Sequence, residues 1–172
     1  MKRLALTGIC MLAATGLMSS AAMAAGGQDK ILEFDTMVGV SRPYTGTANP
    51  IRGVNGGGLP WVIGPVEGEL TIDGKLEIRV TGLVFADDPA VPIQNRGRNT
   101  VPNFRAIVSC QTVNMQTDPP SPQVLNVTTG LFPATEAGNA YIEAQVDLPQ
   151  PCIAPIIFVT NPNGAWFAAT GM

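Results

Sequence analysis

Val66-Glu67-Gly68-Glu69-Leu70-Thr71-Ile72, then Asp73-Gly74, then Lys75-Leu76-Glu77-Ile78-Arg79-Val80-Thr81-Gly82-Leu83-Val84-Phe85 is the stretch that decides the fold. Glu67, Glu69 and Thr71 alternate with Gly68, Leu70 and Ile72. After Gly74, Lys75, Glu77, Arg79 and Thr81 alternate with Leu76, Ile78 and Val80. Successive side chains of a strand point to opposite faces, so each run has one wet face and one apolar face. Asp-Gly between two such runs predicts a two-residue hairpin turn. The apolar face then needs a second layer to cover it.

The flanking chain supplies that layer. Residues 31–40 read as a first strand, and Trp61-Val62-Ile63 as a short one. In 104–113, Phe104, Ala106, Val108 and Cys110 share a face, with Arg105, Ile107, Ser109 and Gln111 on the other. Residues 124–131 form another strand. In 140–148, Ala140, Ile142, Ala144, Val146 and Leu148 face in, while Glu143, Gln145 and Asp147 face out. A last hairpin, 156–160 with 165–170, turns at Asn161-Pro162-Asn163-Gly164. The 19 glycines and 15 prolines are scattered without a period, as turn residues are. About eight strands and no helix predict an all-β protein, an antiparallel two-sheet β-sandwich that is immunoglobulin-like in the loose sense. A closed β-barrel is the alternative.

The amino end has a different character. Lys2 and Arg3 precede an apolar run over 4–18, and Ala22-Met23-Ala24 fits an A-x-A cleavage site. This is the pattern of a signal peptide over 1–24, leaving 25–172 as one domain of 148 residues. The stretch over 4–25 is also just long enough for an uncleaved anchor, against which Gly8, Gly16, Ser19, Ser20 and the A-x-A site stand. Cys10 leaves with the leader. Cys110 and Cys152 remain, and in an exported chain two cysteines read as one disulfide, with buried free thiols as the alternative. Losing Lys2 and Arg3 takes the net charge from −3 to −5. That acidic balance argues against nucleic acid and anionic membrane as partners. The expected location is extracellular or periplasmic, with no membrane association after cleavage.

The chain has no histidine. Ser-His and Cys-His nucleophile systems and His-ligated zinc are therefore absent, and no cofactor is expected. Glu67, Glu69 and Glu77 form the densest acidic group. Paired carboxylates carry glycoside hydrolysis. The plainer account is a solvated strand face with Lys75 and Arg79 as cross-strand partners. Asp87-Asp88 are the candidates for a calcium site, set against the ordinary role of Asp before Pro89 in starting a turn. Gly56-Gly57-Gly58 lacks the Lys-Ser/Thr of a phosphate loop and reads as flexible-loop glycine. Arg96, Arg98 and Arg105 offer a basic patch or a solvated rim. Tyr44, Trp61 and Trp166 offer stacking surfaces, with Trp61 the stronger candidate in its glycine-rich loop. The competing role for Trp61 is to cover one end of the core. Asn126-Val127-Thr128 is a glycosylation sequon.

These readings converge on a secreted, non-enzymatic binding or cell-surface protein whose partner is a protein or a glycan. The expected contact surface is the pair of long loops over 41–65 and 86–103, with Tyr44, Trp61, Arg96 and Arg98 as ligand contacts. A small carboxylate-dependent hydrolase is the second expectation.

Overall fold

The computed structural model describes residues 29–171. The expected signal peptide over 1–24 lies outside the described residues. In chain order the strands are β1 (Lys30–Phe34), β2 (Val38–Gly39), β3 (Trp61–Val62), β4 (Val66–Thr71), β5 (Lys75–Val80) and β6 (Val84–Phe85). There follow β7 (Asn103–Asn114), β8 (Ser121–Thr128), β9 (Phe132–Pro133), β10 (Ala140–Gln145), β11 (Ile153–Thr160) and β12 (Trp166–Ala169). The front sheet has the order β1-β4-β5-β10, and the back sheet β2-β12-β11-β7-β8, with β9 added to β7. A separate ribbon joins β3 to β6. All named pairs are antiparallel. The β-sandwich reading holds. The barrel alternative does not, because the two sheets keep separate edges.

The deciding hairpin forms with a different turn. Leu70 pairs with Leu76 and Glu69 with Glu77, which leaves Ile72, Asp73 and Gly74 as a three-residue loop. A two-residue turn would pair residues whose numbers sum to an odd value, setting apolar positions opposite polar ones. Register follows the buried face. The loop is closed by Gly74 N–H to the Thr71 carbonyl and by Lys75 N–H to Thr71 Oγ1, each at 3.0 Å. Gly74 takes φ +89°, as three-residue loops require of their last residue. Ile72 stands exposed in the loop and takes no part in the core.

The expected first strand is two. Phe34 ends β1 in the front sheet, and only Asp35, Thr36 and Met37 separate it from β2 in the back sheet. Between the sheets lie Leu70, Leu76, Ile78, Val80 and Ile142 from one side and Phe104, Ala106, Val108, Cys110, Ile157 and Val159 from the other, all fully or almost fully buried. The Cys110–Cys152 disulfide is formed, with Cα atoms 4.9 Å apart, and fastens β7 to the segment entering β11.

The back sheet is buried on its outer side too. Ile107, Ser109, Phe158 and Trp166 are inaccessible or nearly so, although they alternate with the core-facing residues. The chain between β2 and β3 covers them. Arg52 reaches the carbonyls of Ser109 on β7 and Ala154 on β11, each at 2.9 Å. Its own carbonyl accepts a bond from Asn126 Nδ2 on β8 at 3.0 Å. Farther along, Trp166 N–H bonds the Asn55 carbonyl and Gly57 N–H the Trp166 carbonyl. The long loop thus crosses the sheet's outer side at Arg52 and returns to its β12 edge at Gly56, where it forms a parallel bridge with Trp166.

Candidate binding surface

The front sheet's outer face is open. Because register aligns the polar positions of neighbouring strands, Glu33 lies opposite Glu69, Glu69 opposite Glu77, and Glu77 opposite Glu143. Four glutamates therefore cross the sheet in one row. The adjoining row sets Glu67 opposite Arg79 and Arg79 opposite Tyr141. A groove of about 650 Å³ runs over this face, lined by Glu33, Asp35, Glu67, Glu69, Arg79 and Tyr141 among others.

Like charges placed directly opposite on a sheet repel. Among the described residues the face answers with Lys30, Lys75 and Arg79 only. Lys30 Nζ lies 2.7 Å from Glu69 and 3.1 Å from Glu33. Lys75 pairs with Glu77. These contacts raise both lysines above their ordinary pKa, Lys30 chiefly through Glu69 and Lys75 chiefly through Glu77. The Lys75 hydrogen bond holds the Glu77 carboxyl below its usual range. Tyr141 is raised, first by desolvation and then by the charges of Glu143 and Glu77. The Arg79 guanidinium sits 5.5 Å from the Tyr141 ring centre, a cation held against an aromatic face.

The residues expected to bind are placed elsewhere. Trp61 is 3% exposed, stacked on Phe167 at 3.8 Å and tilted against Phe85 at 4.2 Å. It closes one end of the core and offers no free face, which corrects the expectation of a stacking platform. Trp166 is also buried. Tyr44 is exposed at the surface. Arg96 Nη1 binds Asp87 at 3.0 Å, Arg98 pairs with Glu136, and Arg42 Nη2 binds Asp88 at 3.1 Å. Arg105 is turned onto the carbonyls of Thr129 and Pro162. The Arg42–Asp88 pair links the two long loops, but Trp61 is buried and Arg96 and Arg98 are each engaged by a carboxylate.

Asp88 also accepts the Ala90 N–H at 2.8 Å, the main reason its carboxyl is held low. Asp87 and Asp88 each face an arginine, and no group of three metal-ligating side chains occurs among the described residues. Gly56 and Gly57 are buried, with backbone or ring atoms where a Cβ would stand, so they are packing glycines, whereas Gly58 has open space.

Sequence reasoning found Glu67, Glu69, Glu77 and Arg79 but missed Glu33, Asp35 and Tyr141 as parts of the same face. Alternation around Glu143 places Tyr141 outward. The union of β1 with β4 needed the sheet order. Comparison of the chain with protein-family models, with curated proteins and with solved structures finds no match among any of the three.

Proposed function

We propose that this is an exported, non-enzymatic binding protein that engages a lysine- or arginine-rich segment of another protein on the outer face of the front sheet. The observation that carries the reading is the row Glu33, Glu69, Glu77, Glu143, in register across four strands and only partly neutralised. A row of like charges is costly in the free protein and is relieved by incoming cations. Arg79 over Tyr141 shows the chemistry available to a guanidinium there. The leader pattern and the disulfide support passage to the extracellular or periplasmic space.

The hydrolase reading draws on the same groove, which gathers carboxylates from β1, β4 and β5. A general acid there must hold its proton near neutral pH. Lys75 pulls Glu77 the other way, and nothing in the open groove excludes water. Binding is therefore the better account.

Fluorescence anisotropy with a labelled nine-lysine peptide tests it. Binding is expected at about 20 mM salt and is weakened by roughly tenfold or more near 300 mM. Glu69→Gln with Glu77→Gln is expected to weaken it comparably, while Asp87→Asn with Asp118→Asn, an equal charge change in loops off the front sheet, leaves it unchanged. Equal losses from all these substitutions would show attraction to net charge alone and defeat the reading.

A further inference from the structure

Strand β8 is the outermost strand of the back sheet and pairs with β7 from Ile107–Thr128 to Asn114–Ser121. Thr129 N–H donates to the Ala106 carbonyl at 3.0 Å, continuing that ladder. Antiparallel pairing alternates which residues bond to a given neighbour. The main-chain groups of Val124, Asn126 and Thr128 therefore point away from β7. Among the described residues no other strand pairs with that edge. The front sheet ends at β10, which lies against β7, so β8 extends one strand beyond it. Val124 and Leu125, on opposite faces of β8, are 42% and 41% exposed.

Exposed edges are usually guarded by charge, brevity or proline. The β1 edge carries Lys30 and Glu33, the β10 edge carries Glu143, and β2 is two residues long. Ser121–Thr128 holds no charged residue and has only Pro122 near its start. Among the described residues it is the one long, uncharged edge.

We propose that β8 pairs with β8 of a second copy of this chain about a two-fold axis through Asn126, so that the two back sheets become one. Charge selects the occupant. A basic partner is drawn to the glutamate row on the other sheet, whereas a second acidic copy can approach this neutral edge without opposing like charges. The edge is also complementary to itself. With Asn126 opposite its own counterpart, Val124 faces Thr128 of the second copy, and the outward N–H and C=O groups of all three residues find partners. Leu125 then lies beside Val127 of the second copy, an aliphatic cross-strand pair. Pro122 falls opposite Gly130, beyond the paired stretch, where its missing N–H removes no bond. The same patch serves both copies, so the contact closes as a dimer.

Sedimentation velocity on the processed protein, from about 5 to about 500 µM, tests this, since an interface of this small size associates weakly. A monomer–dimer equilibrium is expected within that range. Val124→Pro removes an outward N–H without breaking a bond to β7, and Thr128→Lys sets a charge beside Val124 of the other copy at both ends of the contact. Both are expected to shift the dissociation constant by at least about tenfold, with far-ultraviolet dichroism unchanged. Ile72→Lys, on the front-sheet hairpin, is expected to dimerise normally. A native chain that stays monomeric throughout, a ladder of larger species, or folded β8 variants that still dimerise would each overturn the proposal.

Discussion

Glycine is where residue identity is least negotiable in this chain. A Cβ on Gly56 would meet the Tyr44 carbonyl, and one on Gly57 would lie 2.9 Å from the Phe167 ring, while Gly58 has nothing within 4 Å. Gly56→Ala is expected to cost about 1–3 kcal/mol by overpacking, and Gly58→Ala less than about 0.5 kcal/mol. Urea denaturation of the two variants checks the ordering. Three consecutive glycines look alike in sequence, and only the crossing of the loop over the back sheet separates them. Trp61 carries the same lesson. Its place in a glycine-rich stretch fits both a ligand platform and a core cover, and Phe85 and Phe167, distant in sequence, decide between them.

At the level of elements, alternation was a reliable guide. The inward faces read for β4, β5, β7 and β10 are those turned to the core, although Gly68 and Ala144 are only half-buried and Ile72 is exposed in the turn. Turn length was less legible, since Asp-Gly serves two-residue and three-residue loops alike. Residues 31–40 have the pattern of one continuous strand, and nothing local marks the passage from one sheet to the other. The loop over 41–65 was the largest departure. Its cover over the back sheet depends on Arg52, whose partners lie 57 to 102 residues away. Those long-range bonds leave no periodic trace. The disulfide, by contrast, followed from counting. Replacing Cys110 and Cys152 by alanine frees a link spanning 42 residues and is expected to lower stability by about 4 kcal/mol, read from the urea midpoint under non-reducing conditions.

The molecule as a whole carries its charge asymmetrically, and its pH response follows. Glu77 and Asp88 are held below their ordinary values of 4.5 and 3.8. The unfolded chain therefore takes up these protons first as pH falls. The stability these groups contribute is present above their ordinary values and is lost as the medium acidifies through the folded ones. Lys30 and Lys75 are raised above 10.5, so their contribution is complete below that value and disappears as pH climbs past it. A urea midpoint that is level from about pH 5 to pH 10 and declines gently on both sides is the expected profile, with small amplitudes because the groups are exposed. A steep change near neutrality would contradict it. The short passage from β1 to β2 has a mechanical consequence. The four Cα–Cα steps from Phe34 to Val38 reach roughly 14 Å at most, so the layers cannot gape far on that flank without stripping one strand from its ladder. The sandwich is pinned there, and opening is left to the far margin, where water reaches half-buried Val127 well before the ring of Trp61.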